Sequence, residues 1–454
     1  MERISTGNQQ ADLILGGGFP AHSINIVMGQ PGSGKTVFCE QLAFANLGGR
    51  PVLYLTTVSE PLAKVVTYLQ EFEFARVDAI GEQIVYESLA DTITDDPRKL
   101  PERVTDLLKQ YRPKIIIIDS FKAMGDLMPD TASWRKVLYE LAGTLTAYDA
   151  TSFWIGEYIA DMVARLPEFA VADAIVELTR EQTGTRDDRY LHVLKLRGST
   201  FLDGFHAFRI ARSGLHIYPR LVSPEAFGEG YGTTIDRLAT GIAGLDDMIE
   251  TGWLRGTSTL VLGPSGAGKT LLALHFLREG VRRGERGLLV TFQENPSQLN
   301  RICGNISWHA DELPNCGGLD LLYTSPVELQ IDTIVGEIFH RIAEDKMQRV
   351  VIDSMGDLMN ASRDMQRFRD YAYALTQRFS ALGITAMLTM EVMRGGQYPP
   401  EVSAMVDNIL LLEAHLNGEM QRTIRILKTR GSGYDLRRHL LRITSQGVLV
   451  DRAT

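Results

Sequence analysis

Two stretches carry the same spacing of glycine, lysine and threonine: GQPGSGKT at Gly29–Thr36 and GPSGAGKT at Gly263–Thr270. Such a stretch can cradle a phosphate. Gly29, Gly32 and Gly34, and likewise Gly263, Gly266 and Gly268, let successive backbone N–H groups curl around an anion, with Ser33 and Ala267 as the small residues between. A helix beginning there presents its positive end to the same anion. Lys35 and Lys269 reach the β- and γ-phosphates, and Thr36 and Thr270 offer a hydroxyl to Mg²⁺. A glycine-rich turn could match once by accident, but two matches in equivalent surroundings exclude that.

Three further pairs recur. The apolar runs KIIIID and RVVID end in Asp119 and Asp353, where a carboxylate beside the loop suits Mg²⁺ support; the bland alternative is a helix N-cap, since Ser120 and Ser354 follow. TTVSEP and TFQENP place Glu60 and Glu294 just past the second strand of each copy, 234 positions apart, as candidate bases for water. A surface glutamate favouring a helix N-terminus is the competing reading. KLRGS and KTRGS set Lys195 with Arg197, and Lys428 with Arg430, on one face of a late strand. Their own loop already supplies a lysine, so the expected target is a neighbouring subunit's nucleotide, against the alternative of a solvated basic face.

These residues sit in a chain written twice. Lys35 and Lys269, and Asp119 and Asp353, lie 234 positions apart, and Lys195 and Lys428 lie 233 apart. RISTG at Arg3 and RLATG at Arg237 open the two copies. A period this long means a duplicated domain rather than a solenoid. We expect a first domain over residues 1–222, a linker over 223–234 rich in turn-forming residues, and a second domain over 235–454. Each copy alternates short apolar strands with amphipathic helices and ends in hairpins, one turning near Asn417-Gly418. That pattern predicts an α/β fold: tandem P-loop NTPase domains, each a mostly parallel sheet with helices on both faces.

Composition narrows the function. The 454 residues carry a net charge of −9, which disfavours sequence-blind nucleic-acid coating. Cys39, Cys303 and Cys316 have no paired spacing, so a disulfide framework or zinc site is not expected and a reducing cytoplasm fits. Cys39 is expected on a buried helix face. There is no signal-peptide pattern at the start and no apolar run of membrane-spanning length.

Taken together, the duplication, the phosphate loops, the Asp-Ser pairs and both KxRGS segments resemble the KaiC family of RecA-like ATPases over nearly the whole chain. The resemblance implies an ATP- and Mg²⁺-dependent double-ring homohexamer with nucleotides between subunits, a first ring that is mainly an ATPase and a second that can phosphorylate itself. It implies trans ATP contacts from Lys195, Leu196, Arg197 and Ser199, and from Lys428, Thr429, Arg430 and Ser432, and a KaiB-like protein as partner. Clock-type members carry two adjacent glutamates after the second strand; here the first of them is assigned to Ser59 and Gln293. Their Ser-Thr phosphorylation pair maps onto Ser403 and Ala404, leaving Ser403 as the candidate phosphosite ahead of the strand NILLL. Where those members continue into a long activator-recruiting tail, this chain has only DRAT.

The leading reading is therefore a hexameric regulatory ATPase. A nucleic-acid-dependent ATPase of the RecA, RadA or DnaB kind is the alternative, with the loops after Asp119 and Asp353 and the stretch 393–400, including Arg394, lining a pore. A ring that holds ATP without turning it over is the third.

Overall fold

A computed structural model of the chain describes residues 2–57, 62–183, 186–224, 235–306, 318–362, 364–392, 400–417 and 419–451. The chain divides into two compact units, Met1–Arg220 and Leu221–Thr454.

The sheet of the first unit contains nine strands: β1 (Ile24–Gly29), β2 (Val52–Thr56), β3 (Ile84–Ser88), β4 (Ile115–Asp119), β5 (Thr151–Gly156), β6 (Ala174–Thr183), β7 (Arg186–Leu196), β8 (Phe205–Ala211) and β9 (Gly214–Tyr218). Their order is β9-β8-β7-β6-β1-β5-β4-β2-β3. The segment from β6 to β3 is parallel, and β6 to β9 form antiparallel hairpins. The second unit repeats this with β10 (Ser258–Gly263), β11 (Gly287–Thr291), β12 (Leu319–Tyr323), β13 (Arg349–Asp353), β14 (Thr385–Glu391), β15 (Asn408–Asn417), β16 (Glu419–Lys428), β17 (His439–Thr444) and β18 (Gly447–Asp451), ordered β12-β11-β13-β14-β10-β15-β16-β17-β18.

Helices cover both sheet faces, so the parallel strands read as unbroken apolar runs. In β1, Val27 joins one buried cluster while Ile26 and Met28 join the other, as period-two alternation requires. The long helices Thr131–Ala147 and Met365–Ala381 start alike: Asp130 accepts from the Ser133 N–H at 2.8 Å and Asp364 from Arg367 N–H at 2.7 Å. Cys39 is buried on the helix Lys35–Ala45. Asn417 pairs with Glu419 across Gly418, which lies outside the described residues, as do Cys316 and residues 225–234 of the expected 223–234 linker.

Each opening arginine ties its unit together. The Arg3 guanidinium donates to Gly18 O and to Ser199 Oγ, and Arg237 donates to Gly252 O and to Ser432 Oγ.

Candidate nucleotide sites

The strand β1 ends at Gly29 and the chain turns through Gly32 (φ 71°) and Gly34 (φ 102°) before the helix Lys35–Ala45 begins. These φ values suit glycine. Gly29 has a second reason: a Cβ there would lie 2.0 Å from Leu178 O. The second loop repeats the path through Gly266 (φ 74°) and Gly268 (φ 105°) into the helix Lys269–Arg282. Ser33 Oγ is buried without a hydrogen-bond partner, the kind of orphan that a phosphate oxygen satisfies. Its counterpart Ala267 is buried as well.

Lys35 Nζ donates to Gly29 O (2.9 Å) and Gln30 O (2.8 Å); Lys269 Nζ donates to Gly263 O (2.9 Å) and Pro264 O (3.0 Å). Burial pushes both ammonium pKa values down, and neighbouring acids oppose it: first Glu157 for Lys35, first Glu391 for Lys269. Sequence reasoning passed over these two glutamates. They follow the β5 residue Gly156 and end β14, against the loop strand, and their repeat at the same 234-residue offset in WIGE and LTME was the available signal.

Thr36 Oγ1 donates to Asp119 Oδ2 at 3.0 Å, and Thr270 Oγ1 to Asp353 Oδ2 at 2.7 Å. The N-caps of the following helices are Ser120 and Ser354, not the aspartates. A hydroxyl joined to a carboxylate is the hard-oxygen donor set that suits Mg²⁺, which completes its shell with water and substrate phosphates. Among the described residues no cluster of three or more His, Cys, Asp or Glu forms a protein-only metal cage.

The pairing of Glu60 with Glu294 needs correction. Thr56 lies opposite Asp119, and Thr291 opposite Asp353. From there the copies run at an offset of 235, so that Val58 counts with Gln293, Ser59 with Glu294, Glu60 with Asn295 and Pro61 with Pro296. Asn295 is the N-cap of the helix Pro296–Asn305, in a capping box with Gln298. The two-glutamate positions of the clock-type pattern are therefore Val58-Ser59 and Gln293-Glu294, and the assignment of Ser59 to the first of them was one residue late. Residues 58–61, with Glu60, lie outside the described residues.

In the second unit Glu294 is half-buried, beside the Thr291 hydroxyl at 3.5 Å. Burial raises its pKa, with Asp353 adding to the effect. Glu294, Gln293, Asp357, Lys269, Thr270 and Asp353 line one cavity of about 270 Å³.

The first unit differs. Its loop opens on a cavity of about 520 Å³ that shares Thr36, Val37, Asp119 and Ser120 with an aromatic cavity of about 640 Å³. On the floor of the latter, Tyr54 donates to Asp119 Oδ2 (3.1 Å) and stacks on Tyr86, which donates to both oxygens of Glu40. Burial pushes Glu40 up to about 8. Tyr54 pairs with Tyr86 as Leu289 pairs with Leu321, and Glu40 counts with Leu274; the second unit has three buried leucines where the first has this polar trio.

The KxRGS residues lie at the end of the strands opposite the phosphate loop. Lys195 nearly closes β7 and Arg197 follows in the turn; β16 ends at Lys428, with Arg430 beyond it. The expectation of both side chains on one strand face is thus corrected: the strand ends between them. Arg197 is 3.4 Å from Asp173 and Arg430 is 3.8 Å from Asp407, each with a side chain more than half exposed. Ser199 and Ser432 hold the opening arginines, Leu196 is buried, and the buried Thr429 Oγ1 has no hydrogen-bond partner. Ser403 is half-buried on the helix Pro400–Met405, not in a loop ahead of the strand; its carbonyl accepts from Lys428 Nζ at 2.7 Å and that of Ala404 from Arg430 at 3.1 Å. Asp119 and Asp353 lead straight into helices rather than pore loops, and residues 393–399, with Arg394, are outside the described residues.

The two mostly parallel sheets, each with a phosphate loop at the end of a central strand and a strand-end aspartate beside it, define a tandem P-loop NTPase. The family model "ATPase: KaiC" matches residues 4–222 and again 238–454, and the chain belongs to the KaiC ATPase family. It is 28% identical to "Circadian clock oscillator protein KaiC 1" of Synechocystis sp., over 96% of this chain and 86% of the relative. It is also 28% identical to "Circadian clock oscillator protein KaiC" of a Picosynechococcus species, over 96% and 87% of the two chains. A Prochlorococcus marinus protein of the same name is 27% identical, over 98% and 90%. No helix among the described residues is long and apolar enough to cross a membrane. Membership does not favour the nucleic-acid-dependent reading.

Proposed function

We propose that the chain binds Mg·ATP at both phosphate loops, hydrolyses ATP with Glu294 as the base of the second unit, and assembles as a homohexamer with nucleotides between neighbouring copies. The observation that carries this is the recurrence of one geometry in both units: a lysine over the loop, and a threonine hydroxyl bonded to a strand-end carboxylate. When bound, Mg²⁺ neutralises phosphate charge, and Thr36 with Asp119, and Thr270 with Asp353, would hold it. Lys35 and Lys269 orient the phosphates, and Glu294 accepts the proton of water.

Assembly is supported by the separation of the basic pair from its own loop. Arg197 N–H donates to Asp173 O, and Asp173 caps Ile24 at the start of β1, while the loop begins at its end. A six-residue strand spans about 20 Å at roughly 3.3 Å per residue, too far for either side chain to reach back. Lys195 and Arg197 therefore serve a neighbour's nucleotide, and Lys428 and Arg430 do the same in the second unit. A KaiB-like regulator remains the partner that the family implies. Ser403 is proposed as a phosphoacceptor because its helix is bonded to this basic pair.

The test is light scattering and ADP release from one preparation. ATP is expected to convert smaller species to hexamers and to be hydrolysed. A monomer at saturating ATP contradicts the assembly, and ATP left intact over many hours contradicts the hydrolysis.

A further inference from the structure

Gln293 and Glu294 both line the cavity at the second loop, and the first copy carries Val58 and Ser59 at the counterpart positions. Gln293 Nε2 donates to Asp357 Oδ1 at 3.1 Å and Oδ2 at 3.4 Å. Asp357 is buried at the start of the helix Met355–Ala361 and also accepts from Ser354 Oγ at 2.7 Å. A carboxylate accepts only, so the amide must turn its nitrogen to Asp357 and its Oε1 away from it. A glutamine held this way can present Oε1 to an attacking water, as glutamines do in other NTPases. Glu294 stands next in sequence and lines the same cavity as Lys269 and Thr270.

Counting through the duplicated strands, Gln293 corresponds to Val58, Glu294 to Ser59 and, from Ser354 and Ser120, Asp357 to Ala123. The clamp and its glutamine are absent together from the first copy, and Ser59 stands at the position of Glu294, with Glu60 next to it outside the described residues. Glu157 and Glu391 hold the same place in the two loop cavities and so do not set the units apart. Both units keep a lysine over the loop and a threonine hydroxyl bonded to a strand-end aspartate.

Building on the ATPase reading, we propose that turnover is confined to the second unit, with Asp357 a positioning residue that aims Gln293 at the water, and that the first unit keeps its ATP as a bound ligand. In the second unit the water oxygen forms a bond to the γ-phosphorus. Its proton passes to Glu294, and the bond from that phosphorus to the β–γ bridging oxygen breaks, its electron pair leaving with ADP.

The experiment measures steady-state ADP release and bound nucleotide on the full chain carrying Glu294→Gln, Asp357→Ala or Asp357→Asn. Glu294→Gln is expected to remove about 99% or more of ADP release, the roughly 10²-fold or greater loss that follows from deleting a general base, while retaining two ATP per chain. Asp357→Ala should lower kcat about 10- to 100-fold with KM for ATP little changed. Asp357→Asn, whose Oδ1 still accepts from Gln293, should recover most of that loss. Half the ADP release surviving Glu294→Gln would overturn this inference alone, and equal damage from Ala and Asn would overturn the role of Asp357. No ADP release from the unsubstituted chain would overturn the ATPase reading as well.

Discussion

Arg430 and Lys269 stand at opposite ends of one strand. Lys269 Nζ donates to Gly263 O at the end of β10, and Arg430 N–H donates to Asp407 O, whose carboxylate accepts from the Ser258 N–H where β10 begins. One chain cannot bring both to the same nucleotide, and the proposed assembly has two chains do so. Arg430→Ala should lower second-unit hydrolysis on the order of 10³-fold, the range of a lost arginine finger. Mixing Arg430→Ala with Lys269→Ala chains should restore part of it, because some interfaces then pair an intact lysine with an intact arginine. Mixtures no more active than either variant would contradict trans completion.

The bond between Thr270 and Asp353 predicts a metal phenotype. Asp353→Asn keeps the shape but removes the charge, and Asp353 also accepts from Thr389 Oγ1, so the fold should hold. Apparent Mg²⁺ affinity should fall about 10- to 100-fold, measured as the Mg²⁺ concentration for half-maximal ADP release. An unchanged midpoint would place the metal elsewhere.

Glu40 predicts a pH dependence confined to the first unit. Its folded pKa is raised by burial to about 8 against an ordinary 4.5. A raised acid binds its proton more tightly in the folded state, so its stabilisation is full below pH 4.5 and is lost as pH rises through 8. Its share of the slope is at most about 1.4 kcal/mol per pH unit in that window. Glu40→Gln, which stays neutral, should flatten the fall in thermal stability between pH 6 and 9. Identical slopes in the two proteins would show that Glu40 does not govern it.

Much of this was legible in the sequence. Phosphate loops declare themselves because glycine, lysine and threonine each answer a separate demand of an anion site. The sheets were legible because parallel strands such as β4 and β13 are buried on both faces and leave bare apolar runs. Glu60 was paired with Glu294 because a constant offset of 234 was carried through a segment where the copies differ by one residue. Only the pairing of Thr56 with Asp119 and Thr291 with Asp353 exposes that slip. Asp357 was invisible for another reason: its partner Gln293 is 64 residues away, and nothing in MGD marks it as part of a site.

Ser403 carries the phosphorylation prediction. Its helix touches Lys428 and Arg430, the pair assigned to the neighbour's nucleotide. If the second unit transfers phosphate, the product should be single, at Ser403, and lost in Lys269→Ala. A phosphopeptide map after long incubation with ATP checks it. Phosphate elsewhere in the second unit, or none alongside steady ADP release, would remove Ser403 from the account.

The central claim is that both loops hold nucleotide. The most direct measurement is bound ATP plus ADP per chain, by chromatography of nucleotide released from hexamers formed in ATP and Mg²⁺. The account predicts two per chain in the unsubstituted protein, one in Lys269→Ala and none in the Lys35→Ala, Lys269→Ala double variant. One nucleotide per unsubstituted chain, or two retained by the double variant, would contradict it.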